Sequence, residues 1–294
     1  MAVLLTGATG FVGLNLAHEF IARGQTVVLF AHALPPGAIA QSDWFSRAIF
    51  VRGDIRSEAD IGRAFAAAPI SEVIHAAALT PDAQTEAEQP AAIVEVNLVG
   101  TTRLMQAARR ASVRRVLGIS SVAVYGSAAP AQGGRLEEEV TAPRPTSLYG
   151  ITKLAAEQSL CRLGALYGIG TVVVRLGPCF GIREYPSGDR PMMSPHWQCA
   201  EALIAGQQCI LPRPMAGDWI DAGEAAEAIA NLLATPDLSD TLFNLGGGAV
   251  TTAIDWCEAL TALRPEFRWR VDEEAATIRY GLERDRAPMD TARL

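Results

Sequence analysis

Three residues of this 294-residue chain are of the right type and spacing for proton transfer: Ser121, Tyr149 and Lys153. Tyr149 and Lys153 stand four residues apart, so in a helix expected from about Ser147 to Tyr167 they share one face near its N-terminus. A phenol, with an ordinary pKa near ~10, is a poor base at neutral pH. An ammonium one turn away and the positive end of a helix both favour the phenolate. Such a phenol can exchange a proton with a substrate hydroxyl, while the ammonium holds a ribose and the Ser121 hydroxyl positions the reacting oxygen. Taken alone, a Tyr/Lys pair at this spacing reads as an ordinary surface pair. Its chemistry depends on what faces it.

What faces it is expected to be the start of the chain. Val3 to Val12 and Gly13 read as a buried strand, a glycine turn and the opening of a helix that runs from Leu14 to Arg23 and closes at Gly24. Gly7, Gly10 and Gly13 permit a tight turn, close approach of a pyrophosphate, and packing of the helix on the sheet. Thr9, Phe11 and Val12 complete the turn. An apolar strand before these glycines and an amphipathic helix after them give a weak pattern the context that dinucleotide binding requires.

Short apolar strands then alternate with helices. Strands are expected at Thr26 to Phe30, Ile49 to Val51, Val73 to His75, Arg114 to Ile119 and Thr171 to Arg175, with helices from about Ser57 to Ala67 and Pro90 to Ala111. This alternation predicts an α/β fold, a Rossmann-type doubly wound parallel sheet, with Thr241 to Asn244 returning to the sheet edge. Ser121 then ends the fifth strand at the C-terminal edge where the glycine turn also points. The segment Gly177 to Gly217, rich in Pro, Gly and Met, carries Arg183, Tyr185, Asp189, Arg190, His196 and Trp197 and reads as part of a smaller C-terminal substrate-binding lobe. The expected division is residues 1–176 with 218–246 for the dinucleotide-binding domain, and 177–217 with 247–294 for the lobe. Asp54 reads as a turn or capping carboxylate, His75 as a packed strand-end residue, and Asn97 as a helix-interior amide that bonds a nearby loop or faces solvent. Ala76, Ala77 and Ala78 are small enough for a flat ligand to lie against the backbone. Ala31 and His32 end the second strand, where a dinucleotide site usually carries a charge that reads the ribose; neither charge is present, so NAD and NADP both remain open as the cofactor.

With 49% hydrophobic and 19% charged residues the chain is expected to be globular. Its net charge of −7, with no basic cluster, argues against nucleic acid and anionic membrane partners. Five cysteines, Cys161, Cys179, Cys199, Cys209 and Cys257, show no CxxC spacing, so buried thiols and no metal site are expected. With no secretion signal, and no apolar run near the ~18 residues of a membrane span, a cytoplasmic location is expected.

At these residues the chain resembles an extended short-chain dehydrogenase/reductase of the NAD-dependent epimerase/dehydratase family. The resemblance spans nearly the whole chain and rests on Thr6 to Gly13, Gly53-Asp54-Ile55, His75 to Ala78, Asn97, Ser120-Ser121 with Val124-Tyr125-Gly126, and Tyr149 to Lys153. It implies that Asp54 and Ile55 lie by the adenine, that Ala76 to Ala78 cover the cofactor, and that Asn97 braces the site. His32 and Asn97 join the cofactor residues, and Thr80, Val122, Arg183 and Arg190 join Ser121 and Tyr149 around a small-molecule substrate.

Two departures bear on that substrate. Relatives acting on nucleotide sugars carry Asn in an Arg-x-x-Asn-x-Phe/Tyr-Gly pattern where this chain has Pro178, and Arg in Arg-Asp-Phe/Trp where it has Gly217. Each lost charge-assisted diphosphate contact is worth about 1.5–3 kcal/mol, which favours a smaller substrate unless Arg183, Arg190 or Arg213 substitutes. The chain ends at Asp290 to Leu294, where relatives continue, so a C-terminal piece is expected to be missing. The leading expectation is hydride transfer at a secondary alcohol of a sugar, sugar acid or related polyol. A nucleotide-sugar epimerase with transiently reduced bound NAD and a non-catalytic dinucleotide sensor are the alternatives. A homodimer through the helices at about 90–111 and 147–167 is expected, with Ala107, Ala108, Ala155 and Ala156 permitting close approach.

Overall fold

The computed structural model describes residues 2–128, 130, 134–188, 190–281 and 285–294. The β-branched and apolar strands form one seven-stranded sheet in which every neighbouring pair runs parallel. In chain order the first half runs β1 (Ala2–Thr6), α1 (Phe11–Ala22), β2 (Thr26–Ala31), α2 (Gly37–Ala40), α3 (Asp43–Ser46), β3 (Ile49–Arg52), α4 (Glu58–Ala66), β4 (Ile70–His75), α5 (Ala83–Glu88), α6 (Pro90–Val94), α7 (Gly100–Arg110) and β5 (Arg115–Ser121). The second half runs α8 (Leu148–Tyr167), β6 (Gly170–Leu176), β7 (Cys179–Phe180), α9 (Pro195–Ile204), β8 (Cys209–Leu211), β9 (Ile220–Asp221), α10 (Ala222–Ala234), β10 (Leu242–Leu245), α11 (Ala253–Leu263) and β11 (Trp269–Val271).

The sheet order is β10-β6-β5-β4-β1-β2-β3, so the direction of winding reverses between β1 and β4. That reversal opens a crevice beyond the strands' C-terminal ends, between the glycine turn after β1 and the alanine loop after β4. All five β1 residues are buried because each sheet face is covered. One core joins β1 and β2 to α1 and α10 through Leu14, Phe20, Ile229 and Leu233, and the other joins the sheet to α4, α7 and α8 through Ile61, Leu104, Met105 and Leu160. Ala107 (4% exposed) and Ala108 (0%) belong to the second core. The close approach expected of these two alanines is therefore made to the chain's own sheet, and the exposed large apolar residues of α8 are Ile151 and Leu166.

The helix expected over 90–111 is interrupted. Between α6 and α7 a π-helical turn, Glu95–Val99, inserts one wider loop of backbone around Asn97. After β6 much of the chain leaves the sheet, to which α10 and β10 return: β8 pairs with β11, and α9 and α11 pack around Cys199, Leu211, Cys257, Leu260 and Phe267 in a separate core. The tail then comes back. Met289 bridges to Leu136, its N–H donates to Asp218 Oδ2 at 3.0 Å, and it packs with Val122, Val124 and Tyr125. The last residues thus contact the sheet side, although the expected division placed all of 247–294 with the lobe. Among the described residues no helix is long and apolar enough to cross a membrane.

Candidate active site

The crevice is a cleft of about 1610 Å³, larger than the roughly 300–1,000 Å³ of common ligand pockets and so spacious enough for two ligands side by side. One end is the glycine turn. Gly7 adopts φ +65°, and a Cβ there would stand 2.6 Å from the Ala77 amide nitrogen; a Cβ on Gly13 would stand 2.1 Å from Gly7 O. Gly10 caps α1 with no side chain, and no acidic residue sits in the first turn, so the helix N-terminus presents unneutralised N–H groups to the cleft. This is the arrangement that a pyrophosphate fits.

Tyr149 lies in the first turn of α8, which is doubly capped: Gly150 N–H donates to Ser147 Oγ at 3.1 Å and Leu148 N–H to Glu86 Oε1 at 2.9 Å. Lys153 is buried, its Nζ donates to Ile119 O at 2.8 Å, and Nζ stands 5.8 Å from the Tyr149 ring centroid. Ser121 Oγ accepts from Ala123 N–H at 3.1 Å, which leaves its own proton to donate into the cleft. Beneath them runs a buried polar network. Arg175 donates to Glu157 at 2.6 and 3.3 Å and to Tyr125 OH at 3.0 Å, Ser120 Oγ donates to Glu157 at 2.9 Å, and Tyr125 OH donates to Asn244 Oδ1 at 2.9 Å. Burial alone would lower the Arg175 pKa; the Glu157 carboxylate and Tyr125 outweigh it and hold the guanidinium above the ordinary range.

Of the residues singled out from the sequence, Gly7, Thr9, Gly10, Phe11, Val12, Gly13, His32, Asp54, Ile55, Ala76, Ala77, Ala78, Thr80, Ser121, Val122, Tyr149, Lys153 and Arg190 all line this one cleft. Two expectations are corrected. Arg183 does not line it: Nη1 donates to Asn15 Oδ1 at 3.0 Å and the guanidinium lies over Trp44, because Asn15 also draws in the carbonyl of Ile182. Asn97 is no part of the cleft wall either. It is buried, accepts from Leu79 N–H at 2.8 Å and donates to Leu79 O and Thr152 Oγ1, each at 3.1 Å, so it ties the loop after β4 to α8. Asp189 lies outside the described residues.

His75 is a strand-end residue between Thr6 Oγ1 (2.8 Å) and Thr101 Oγ1 (2.9 Å), and burial, then the Lys153 charge, pushes its pKa down to about 3. Asp54 is a turn carboxylate that also lines the cleft; it accepts from the Arg56 backbone and guanidinium, and this pairing holds it below the usual carboxylate range. Arg56 also lines the cleft, and Arg52 Nε donates to His32 O at 2.9 Å. Ala31 and His32 carry no fixed charge, as read from the sequence, but β3 and the turn after it bring two cations to this end of the cleft.

Three further residues line the cleft: Tyr185, which the sequence placed only in the lobe segment, and Tyr280 and Arg286, which gave no sequence signal. Tyr185 OH donates to Thr9 O at 2.6 Å and ties the segment after β7 to the glycine turn. Tyr280 and Arg286 come from the polar C-terminal stretch and also line the cleft. Burial holds the Arg286 guanidinium below the ordinary arginine range, against the pull of the Tyr280 and Tyr149 phenols, and among the described residues it makes no hydrogen bond or ion pair. Arg190 is paired to Glu184 at 3.0 Å.

Known proteins are similar to this chain in sequence and fold. The model of the NAD-dependent epimerase/dehydratase family matches residues 3–246. The chain belongs to that family. It is therefore an NAD-dependent enzyme of the extended short-chain dehydrogenase/reductase type. It is 28% identical to dTDP-glucose 4,6-dehydratase of Xanthomonas campestris pv. campestris (98% of this chain, 83% of the relative) and 31% identical to UDP-glucose 4-epimerase of Streptomyces lividans (83% and 75%). The solved structure of MoeE5 in complex with UDP-glucuronic acid and NAD superposes with a TM-score of 0.77 at 25% identity, covering 98% of this chain and 89% of that one.

Proposed function

We propose that this member of the family takes hydride from a secondary alcohol of a sugar acid, with Tyr149 accepting the hydroxyl proton. Bound NAD supplies the hydride acceptor. The start of α1 and Gly10 would hold the pyrophosphate, Asp54 and Ile55 would flank the adenine, and Ala76 to Ala78 would lie along the cofactor. Lys153 would hold the nicotinamide ribose, and the outward Ser121 proton would bond the reacting oxygen as its charge changes.

The observation that carries the substrate class is Arg286. Its guanidinium lines the same cleft as Tyr149 and has no hydrogen-bond or ion-pair partner among the described residues, so an anion bound there would share the cleft with the reacting carbon. A carboxylate on the sugar itself meets that requirement, whereas a nucleotide diphosphate is held farther from the carbon being oxidised. Pro178 lines the cleft without the amide that nucleotide-sugar relatives carry, and Arg183 is turned away from it. Thr80, Val122 and Arg190 would complete the substrate wall. The size of the cleft and the names of its relatives favour one other reading, a nucleotide sugar epimerised on bound NAD.

The test incubates purified protein with NAD or NADP and a panel of sugar acids, free sugars and nucleotide sugars, and follows reduced nicotinamide by absorbance. Net reduction with a sugar acid supports the proposal. Isomerisation of a nucleotide sugar without net reduction supports the alternative. Tyr149→Phe is expected to abolish turnover while leaving cofactor affinity within a few-fold, and near-normal turnover would remove Tyr149 as the proton acceptor. We also propose residues 1–176 with 218–246 as the dinucleotide-binding domain, and a homodimer through the outer faces of α7 and α8, where Ile151 and Leu166 are exposed. A monomeric mass by light scattering at micromolar concentration would exclude the dimer.

A further inference from the structure

Cys199 on α9, Cys209 at the start of β8 and Cys257 on α11 meet in the core of the C-terminal lobe, each 0% exposed. Their sulfurs form a triangle with sides of 3.3, 3.7 and 4.0 Å. We propose that these three cysteines form a three-coordinate thiolate site for copper(I).

Geometry and chemistry both favour this occupant. An ion about 2.3 Å from each of three sulfurs spaces them roughly 3.8–4.0 Å apart, so the triangle needs adjustments of only about half an ångström. A disulfide between Cys199 and Cys209 would need their sulfurs to close from 3.3 Å to about 2.05 Å. Among the described residues no His, Asp or Glu joins the three sulfurs as a fourth ligand. The walls are Leu211, Leu260, Phe267 and Ile278, which give a coordinated water no polar partner. Zinc(II) takes four ligands in its structural sites, whereas copper(I) is the soft ion that thiolates select without one. On binding, each coordinating thiol releases its proton to solvent and a sulfur–copper bond replaces the S–H bond; the copper stays at +1. Because the ligands come from two helices and a strand, the ion would also cross-link the lobe, and affinity should fall as pH falls.

The test uses reduced, purified full-length protein under anaerobic conditions, titrated with copper(I) against a competing chelator. One equivalent of copper(I) is expected, with thiolate-to-copper absorption in the near ultraviolet, three sulfur neighbours by X-ray absorption and a raised Tm. Cys209→Ala and Cys257→Ala, each checked for folding by circular dichroism, should lower affinity at least tenfold, while a chain carrying Cys161→Ala and Cys179→Ala should keep it. Zinc(II) should neither compete nor raise Tm. Copper retained unchanged in folded Cys209→Ala protein, no stoichiometric binding to the wild-type chain, or tighter binding of zinc(II) would each overturn the proposal. The X-ray absorption measurement needs no variant, so a variant that fails to fold leaves the proposal open to refutation.

Discussion

Replacing Glu157 by Gln tests whether the buried ion pair below the active site holds the site together. The Glu157 and Arg175 side chains are 7% and 4% exposed, and Glu157 accepts two bonds from Arg175 and one from Ser120, the neighbour of Ser121. Gln keeps the shape but loses the charge, and its amide cannot accept on both sides. The Arg175 guanidinium is then left buried without a carboxylate, with one neutral Gln oxygen beside Tyr125 OH and the Glu138 carbonyl as acceptors. Breaking one side of a buried pair costs about 3–5 kcal/mol, and Gln retains one acceptor, so a loss near 3 kcal/mol is expected. At roughly 2–4 °C per kcal/mol for a chain of this order, Tm should fall by about 6–12 °C. Glu157 also stands one turn beyond Lys153, so turnover should fall more than cofactor affinity. The assay is thermal and urea unfolding of the wild type, Glu157→Gln, and the double variant Glu157→Leu with Arg175→Met. The double variant should be less destabilised than Glu157→Gln, because no buried charge is left without its partner. A Tm change under about 2 °C in Glu157→Gln, or a double variant worse than the single, would refute the reasoning.

Two further outcomes are expected. His75, with its pKa pushed down to about 3, stays neutral in the folded chain while an unfolded histidine protonates below about 6.5, so stability is complete above that pH and is lost as pH falls towards 3. The slope is about 1.4 kcal/mol per pH unit for each such histidine, and burial gives His196, at about 4, the same sign. Urea unfolding at pH 7.5 and 5.5 should show the loss, and equal stability at the two values would contradict it. At the ribose end, Ala31→Asp should weaken NADP relative to NAD by about 1–3 kcal/mol, read by fluorescence titration, because it sets a carboxylate against the 2′-phosphate that His32 and Arg56 would otherwise meet. An unchanged NADP-to-NAD ratio would show that the ribose lies elsewhere.

The sequence by itself determined the parts of this protein whose physics is local. An apolar run followed by Gly7, Gly10 and Gly13 and an amphipathic stretch reads as a strand, a tight turn and a helix, and the four-residue step from Tyr149 to Lys153 puts both on one helical face in any fold that forms α8. Repetition of short apolar strands and helices is enough to call the doubly wound sheet, since parallel strands must be covered on both faces. Tertiary structure decided what depends on chain segments far apart meeting. Arg183 and Arg190 are equivalent candidates in the sequence, yet Asn15 of α1 turns the first away while the second lines the cleft. Asn97 is recognisable as an odd helix residue, but only the π turn and the position of Leu79 make it a brace. Arg286 becomes a cleft residue because the tail returns from the lobe to pair with Leu136. Cys209 and Cys257 are 48 residues apart, with no ligand spacing to join them, and become neighbours only because β8 and α11 fold into one apolar core. Periodicity reports on contacts within a turn or a pleat; contacts across a fold are set by sheet order and packing, which no local spacing encodes.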